Sequence, residues 1–208
     1  MGLRDIFRCQ QAHTSQGTLT EKEYQRMGKA HAKLSEWGLA HLKLFSPLSI
    51  VELGCGDGRN VAELLRMFPQ AHLTGVDLSS VAVALAEKRN HGDIVTKRCA
   101  IVQGDVGALP FADGAYDMAT AFETIYFWPG PLESFREIYR VLKSGGLFVI
   151  VNKIDGEEEN VPQWAHSVEG LQAYDKFSLI RLLKEAGFNE FSVDRLEEKH
   201  WLCVIARK

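Results

Sequence analysis

A glycine-rich segment, Glu-Leu-Gly-Cys-Gly-Asp-Gly at positions 52–58, follows a short apolar run and precedes a segment of helical periodicity. At such a strand-to-helix junction, backbone N–H groups and the helix N-terminus face a crevice and favour a polar ligand. Arg59 stands where a dinucleotide fingerprint needs its third glycine, and the Gly-Lys-Ser/Thr of a Walker loop is absent. Both phosphate-binding interpretations are therefore weakened, and tight-turn packing is the alternative for the glycines alone.

Two carboxylates follow the next two predicted strands. Asp77 stands 77 − 52 = 25 positions after Glu52, where it is suited to accept hydrogen bonds from both hydroxyls of a ribose, and Leu78 can cover one face of a base. Asp105 can accept a hydrogen bond from an exocyclic adenine amine, and the Val106 N–H remains for a ring nitrogen. These side chains together predict a nucleoside site.

The chain resembles class I S-adenosylmethionine-dependent methyltransferases, in a branch like the quinone-biosynthesis enzymes. Four motifs agree in order and spacing, at 51–58, 76–79, 105–117 and 141–147, with Tyr116 in place of the usual Phe and Ser144 in place of the usual Pro. The resemblance implies S-adenosylmethionine as cofactor, with Asp77 on the ribose, Leu78 against adenine, and Asp105 and Val106 on its polar edge. It also places near the methionine moiety Glu52 and the backbone of Gly54, Cys55 and Gly56.

The segment 121–128, Ala-Phe-Glu-Thr-Ile-Tyr-Phe-Trp, leaves the predicted fourth strand at its carboxyl end, where a doubly wound fold places substrates. We expect Phe122 to line the methyl group and thus to contact the cofactor. The aromatic side chains either face a cation or planar acceptor or simply pack the loop; of these, Tyr126 is the one we expect to act in catalysis.

A methyl acceptor that must lose a proton needs a general base whose pKa can be tuned toward the working pH. The sequence offers His31 and Glu123 as the leading candidates, with His41 and His166 behind them. A structural role is the alternative for each.

Apolar runs and helical segments alternate through the middle of the chain, which predicts a doubly wound α/β core with right-handed crossovers and a parallel sheet. We predict strands at 49–53, 73–77, 99–104, 116–122 and 147–152, and helices at 60–68, 81–88 and 132–142. A helix at 177–186 and an antiparallel pair at 188–195 and 201–205 close the chain. The family resemblance implies a seven-stranded, mostly parallel sheet whose last strand is antiparallel.

These elements predict one domain over 1–208, and the resemblance implies that it is a methyltransferase domain. It divides into an N-terminal helical arm (1–46), the cofactor-binding core (47–152), a lid-like excursion (153–175) and the closing helix and β-hairpin (176–208). Thr20 and Glu23 form a capping box in the arm, and Gly38 suggests a break into two helices. Trp164 and His166 either complete a lid or anchor the excursion locally.

The composition excludes several classes of protein. The 208 residues include 24 Lys and Arg and 27 Asp and Glu, which gives a net charge of −3. This charge does not predict a positively charged surface for binding nucleic acid. The aliphatic run 147–151 is too short for a membrane helix, and four scattered cysteines predict a reduced cytoplasm and no metal site. The Asn/Asp-Pro-Pro-Tyr/Phe motif of nucleic-acid N-methylation is absent as well. We therefore expect a cytoplasmic monomer or homodimer that methylates a small molecule, without nucleic-acid or membrane partners.

Two alternatives belong to other classes. The motifs indicate binding more directly than catalysis, so a non-catalytic S-adenosylmethionine-binding protein or subunit is possible. A nicotinamide-dependent oxidoreductase is disfavoured by Arg59 and by Asp105, which would have no role in it.

Overall fold

The computed structural model describes residues 20–161 and 171–208, so the predictions for Cys9, Trp164 and His166 lie outside the described residues. The described chain contains one seven-stranded sheet in the order β3-β2-β1-β4-β5-β7-β6. Its strands are β1 (Ser49–Leu53), β2 (His72–Asp77), β3 (Cys99–Gln103), β4 (Tyr116–Phe122), β5 (Leu142–Asn152), β6 (Glu190–Leu196) and β7 (Trp201–Arg207).

The pairs from β3 through β5 are parallel, whereas β7 runs antiparallel to both β5 and β6. The prediction of a doubly wound, mostly parallel sheet with an antiparallel last strand is confirmed. β4 and the 146–152 part of β5 are buried at every position except Asp117, which explains why they read as near-continuous apolar runs in the sequence.

Helices cover both faces of the sheet. One hydrophobic cluster joins the sheet to α6 (Pro131–Val141) and α7 (Lys176–Ala186), and another joins it to α2 (Ala32–Ala40), α3 (Arg59–Met67) and α4 (Ser80–Arg89). In α3 the buried side chains Val61, Leu64 and Leu65 recur at three- and four-residue steps, so one stripe of the helix faces the sheet. α1 (Glu21–Ala30) precedes these helices, and α5 (His91–Val95) is a short turn of helix after α4.

Helix ends follow the capping residues that the sequence offers. The predicted capping box of Thr20 and Glu23 starts α1, and Ser79 accepts a hydrogen bond from the backbone N–H of Ala82 at the start of α4. Asp175 caps α7 by accepting from two backbone N–H groups, and Gly187 ends that helix with a left-handed φ of 115°.

The arm breaks at His31, not at Gly38 as the sequence suggested. Gly38 lies inside α2, where a Cβ would come within 2.7 Å of Val151 and 2.8 Å of Phe122. The glycine is therefore explained by the close approach of α2 to the end of β5, a tertiary contact that a local pattern does not reveal.

The other differences are local. β5 begins at Leu142, earlier than predicted, because Leu142 already pairs with Tyr116 of β4. α5 and a 3-10 turn at Ile125–Phe127 were not predicted. No helix in residues 20–161 and 171–208 is long and apolar enough to cross a membrane, and this same part of the chain holds no group of three His, Cys, Asp or Glu side chains suited to a metal ion.

Candidate functional site

A cavity of about 340 Å³ opens at the carboxyl ends of β1 through β4. Four parts of the chain form its wall: the glycine-rich loop after β1, the ends of β2 and β3, the segment after β4, and the arm. The predicted site residues that line it are His31, Gly54, Cys55, Gly56, Asp77, Leu78, Asp105, Val106, Phe122 and Glu123. The fold thus brings most of the sequence-predicted site to one place.

The glycine-rich loop presents its backbone to the cavity. Gly54, Gly56 and Gly58 all have left-handed φ angles, between 53° and 75°. A Cβ on Gly54 would collide with the side chain of Thr124, whereas a Cβ on Gly56 would meet nothing within 4 Å. The loop is therefore packed tightly on one side and open toward the cavity at Gly56, where a ligand can approach the backbone.

Asp77 fixes the loop and faces the cavity at the same time. Its Oδ2 accepts a hydrogen bond from the Gly56 N–H at 2.9 Å, and its Oδ1 accepts one from the Ser79 N–H at 2.9 Å. Beside it, the apolar side chain of Leu78 is 48% exposed at the cavity wall. An exposed leucine next to a buried carboxylate suits a ligand with a planar apolar face and neighbouring hydroxyls.

The end of β3 contributes a second carboxylate. Asp105 is exposed, and its Oδ1 accepts a hydrogen bond from the Gly107 N–H at 2.8 Å, while Val106 between them lines the cavity. The carboxylate keeps further acceptor capacity for a ligand amine.

Glu52 lies beneath the loop and does not line the cavity. Its side chain is 1% exposed and accepts hydrogen bonds from Thr120 and Asn60. Burial raises the pKa of its carboxyl from the usual 4.5 to about 8, although the two hydrogen bonds oppose this shift. The structure therefore places Glu52 as a support of the loop, one layer behind the cavity wall.

Glu123 follows β4 directly and has a left-handed φ of 60°. Its Oε1 accepts hydrogen bonds from the hydroxyl of Tyr126, at 3.0 Å, and from the backbone N–H of Lys153. Burial raises the pKa of its carboxyl to about 7 against these hydrogen bonds and the Lys153 charge. Tyr126 itself does not line the cavity, since its ring is buried and its hydroxyl also accepts from the Ile154 N–H.

His31 faces Glu123 from the arm, with its Nε2 3.6 Å from Oε2 of the carboxyl. This separation exceeds a hydrogen bond, and Nε2 is buried without a hydrogen-bond partner among the described residues. Burial, with the positive charge of Lys153, lowers the pKa of His31 to about 4. His41 lies elsewhere: its Nε2 is 2.8 Å from Asp194 on β6.

Several wall residues are not among the individual site residues named from the sequence. They are Tyr24, Met27, Gly28, Ser35, Asp57, Arg59, Asn60, Gly104, Thr124, Phe127, Trp128 and Pro129. Of these, Thr124, Phe127 and Trp128 belong to the predicted substrate segment 121–128. Tyr24 and Met27 belong to the apolar stripe of the arm, but such a stripe does not tell which surface it covers. The sequence did contain a signal for Arg59. It stands where a dinucleotide fingerprint has its third glycine, at the start of a helix next to the predicted ligand loop.

Three observations indicate that the cavity wall suits a cofactor that contains adenosine. The backbone is open at Gly56, carboxylates end two neighbouring strands, and Leu78 is exposed. In addition, Nε of Arg59 and Oδ1 of Asn60 are buried on the wall without partners in the described part of the chain, which suits a polar ligand. The cavity volume lies in the range of small-ligand sites.

The family model described as "Methyltransferase domain" matches residues 51–150. The chain is similar to the uncharacterized methyltransferase YdaC of Bacillus subtilis, at 26% identity over 184 residues that cover 88% of this chain and 95% of YdaC. It is also similar to the malonyl-[acyl-carrier protein] O-methyltransferase of Legionella pneumophila, at 32% identity over 60% of this chain but only 43% of that enzyme.

Solved structures share the fold. A SAM-dependent methyltransferase from Aquifex aeolicus superposes with a TM-score of 0.74 at 18% identity, over 91% of this chain and 98% of its own. Haemonchus contortus phosphoethanolamine N-methyltransferase 2, in complex with S-adenosyl-L-methionine, gives a TM-score of 0.77 at 18% identity, over 97% of this chain and 60% of its own. The motifs, the sheet order, the cavity and these similarities agree, and residues 51–150 form a class I S-adenosylmethionine-dependent methyltransferase domain.

Proposed function

We propose that this methyltransferase transfers the methyl group to a small molecule that enters the cavity beneath the arm. The observation that carries the proposal is the position of the arm: Tyr24, Met27, His31 and Ser35 line the same cavity as the cofactor loop. Tyr24 and Met27 pack with Phe127, so the arm and the segment after β4 close one end of the cavity together. A macromolecular acceptor would need this arm to move away.

For the cofactor we propose one contact per wall segment. Asp77 binds the ribose hydroxyls and Leu78 covers adenine, whose polar edge meets Asp105 and the Val106 N–H. The backbone of Gly54, Cys55 and Gly56 holds the methionine part, and Glu52 acts by supporting that loop from beneath. Phe122 lines the methyl group.

S-adenosylmethionine supplies a methyl group on a positively charged sulfur. Transfer is an in-line displacement, so the main tasks of the chain are to align the acceptor and to exclude water, and alignment alone can lower such a barrier by about 7–11 kcal/mol. Phe122, Phe127 and Trp128 supply apolar wall area for this purpose, while His31 and Glu123 supply polar groups. Tyr126 acts through Glu123 as a positioning residue.

The two alternative classes differ from this proposal in what they require. A non-catalytic binding protein would need the cofactor site alone. The two ionisable side chains His31 and Glu123 on the cavity wall would then have no function. The match of residues 51–150 to a methyltransferase domain argues against a nicotinamide-dependent oxidoreductase.

We also propose a reducing, cytoplasmic location, since Cys55, Cys99 and Cys203 are free and buried. The monomeric or homodimeric state and the four-part division of the domain stay predictions.

The first test is calorimetric titration with S-adenosylmethionine and S-adenosylhomocysteine. Asp77→Ala should weaken binding by about 1.5–3 kcal/mol, the value of a hydrogen bond to a charged group. The matched control is Asp113→Ala, because the side chain of Asp113 is 81% exposed and contacts Arg140 away from the cavity. An acceptor screen that measures released S-adenosylhomocysteine follows. Absence of binding would contradict the site, and binding without product from any small molecule would favour the non-catalytic alternative.

A further inference from the structure

The two carboxyl oxygens of Glu123 have different surroundings. Oε1 accepts hydrogen bonds from the Tyr126 hydroxyl and the Lys153 backbone N–H, so its acceptor capacity is used. Oε2 has no hydrogen-bond donor among the described residues, and the nearest polar atom assigned to it is Nε2 of His31 at 3.6 Å. One oxygen is thus anchored, and the other is free to take a proton.

His31 lies next to Oε2, the oxygen of the Glu123 carboxyl that is not anchored. Its Nε2 is buried, lacks a hydrogen-bond partner in the described chain, and lies on the cavity wall together with Glu123. A buried polar atom without a partner is uncommon in a folded protein. Because Nε2 of His31 lies 3.6 Å from Oε2 of Glu123 on the same cavity wall, a polar hydrogen of a third group can be held next to both atoms.

The backbone at Glu123 gives an independent indication. A left-handed φ of 60° in a residue other than glycine costs roughly 1–2 kcal/mol, and such residues concentrate at functional sites. The conformation is held on both sides, because the Glu123 N–H donates to the Val151 carbonyl at 2.9 Å and Tyr126 holds the carboxyl. The chain therefore turns at the end of β4 in a way that directs this side chain to the cavity.

We propose that Glu123 accepts, through Oε2, the proton of a hydroxyl or amine acceptor, with His31 as the second wall of the proton site. This inference rests on the proposed function and names its substrate class: the atom that receives the methyl group carries a hydrogen. An acceptor atom that carries no hydrogen, such as the sulfur of a thioether or an oxygen of an ionised carboxylate, would not need Glu123 and His31 to remove a proton.

The charge of the methyl donor activates the carboxyl. The groups that face Glu123 are His31 from the arm, Tyr126 from the 3-10 turn and Lys153 after β5. With the pKa of Glu123 at about 7, a large share of the carboxyl is protonated near neutral pH. A positive sulfur in the same cavity favours the carboxylate, so the base is formed when the donor binds.

The bonds balance without a further reactant. The O–H or N–H bond of the acceptor breaks, its proton goes to Oε2 of Glu123, and its electron pair stays on the acceptor atom; an amine, which attacks through its lone pair, loses this proton as the new bond forms. That atom forms the bond to the methyl carbon while the carbon–sulfur bond breaks, and the second electron pair remains on sulfur. The products are the methylated acceptor, S-adenosylhomocysteine and a protonated Glu123, which returns its proton to water.

The test compares S-adenosylmethionine with S-adenosylhomocysteine, because the two differ by one methyl group and its positive charge. Titration calorimetry in buffers of different ionisation enthalpy measures the protons released on binding. At pH 7 we expect S-adenosylmethionine to release about half a proton more than S-adenosylhomocysteine, as expected for a carboxyl whose pKa of about 7 falls when a positive charge arrives. Equal proton release from the two ligands would overturn the proposal.

Glu123→Gln assigns the proton, since it keeps the shape and the acceptor oxygen but cannot titrate. It should remove the difference between the two ligands, whereas Glu185→Gln, a surface change on α7, should retain it. If the wild type binds neither ligand, the proposed function fails; if it binds both but the difference persists in Glu123→Gln, only the present inference fails.

The substrate class has its own readout. With an acceptor found by the screen, Glu123→Gln should lower kcat about 100-fold or more, as expected for loss of a general base, with little change in KM. The ionisation near pH 7 should also disappear from the pH profile of kcat/KM for S-adenosylmethionine, which reports the free enzyme. Methylation of an atom that bears no hydrogen would overturn the assignment of the substrate class.

Discussion

The Nε2 atom of His31 lies 3.6 Å from Oε2 of Glu123, and both side chains are largely but not fully buried on the wall of one cavity. Burial acts on the two groups in opposite directions: it lowers the pKa of His31 to about 4 and raises that of Glu123 to about 7. Between about pH 4 and pH 7 both groups are therefore mostly neutral, and the pair gains a negative charge when Glu123 ionises. A positive ligand in the cavity shifts that ionisation to lower pH.

Tyr126 should influence the pH at which the carboxyl of Glu123 ionises. Its hydroxyl donates to Oε1 of Glu123 and favours the carboxylate, so Tyr126→Phe should raise the pKa of Glu123 further. The pH midpoint of the proton release on S-adenosylmethionine binding should then move upward, while the release itself persists. The loss of a partner for the Ile154 N–H should also cost about 1–3 kcal/mol of stability.

Tyr139→Phe is the control for this change, because the Tyr139 ring packs against Phe188 far from Glu123. It should leave the midpoint of proton release unchanged. A downward shift in Tyr126→Phe would mean that the hydroxyl does not stabilise the carboxylate of Glu123.

Gly56 and Gly145 separate ligand contact from backbone strain. Both have left-handed φ angles, 53° and 75°, and a Cβ on either would meet no protein atom within 4 Å. Substitution by Ala should therefore cost each a similar strain of roughly 1–2 kcal/mol. Only Gly56 lines the cavity, so Gly56→Ala should weaken S-adenosylmethionine binding at least 10-fold, while Gly145→Ala should leave it unchanged.

Calorimetric titration measures binding, and urea unfolding measures stability in the same two variants. Equal loss of affinity in both would show that strain, rather than contact at Gly56, controls the site.

The sequence predicted the central strands and the cofactor wall because both are encoded locally. β1 and β4 have the predicted bounds, since a buried parallel strand is a short apolar run between turns. Asp77 ends β2, Leu78 follows it, and Asp105 lies two residues after β3, so the fold class already directs them to one edge of the sheet.

The acceptor end could not be predicted in the same way. His31 and Glu123 meet through the docking of the arm, and the stripe of Tyr24 and Met27 indicates a buried face without saying what it packs against. The same reason explains the wrong position for the break in the arm, because glycine weakens a helix locally while Gly38 serves a contact with β5.

Gly38 should tolerate no side chain. Gly38→Ala places a Cβ within 2.7 Å of Val151 and 2.8 Å of Phe122, so we expect a loss of about 1–3 kcal/mol from overpacking, despite the higher helix propensity of Ala. Gly92→Ala in α5 is the matched control, because its Cβ would meet nothing within 4 Å. It should stabilise the fold by about 0.4–1 kcal/mol. Urea unfolding compares the two; stabilisation by both would mean that α2 has room to shift away from the sheet.

Glu52 should make the protein less stable as the pH rises. Its carboxyl has a pKa of about 8 in the folded protein and a usual value of 4.5, so between these values the folded state holds a proton that the unfolded state has lost. The free energy of unfolding then falls with increasing pH, by at most about 1.4 kcal/mol per pH unit for one group. Glu123 acts in the same direction up to about pH 7. His31 opposes both between about 4 and 6.5, where the unfolded state binds the extra proton.

The window from pH 6.5 to 8 isolates Glu52 from His31. Glu52→Gln keeps an acceptor for Thr120 but removes the titration, so urea unfolding should show a shallower fall in stability over this window than in the wild type. Glu63→Gln, a surface change on α3, should keep the wild-type slope. A slope in Glu52→Gln equal to that of the wild type would mean that Glu52 is already ionised beneath the loop, with its hydrogen bonds outweighing its burial.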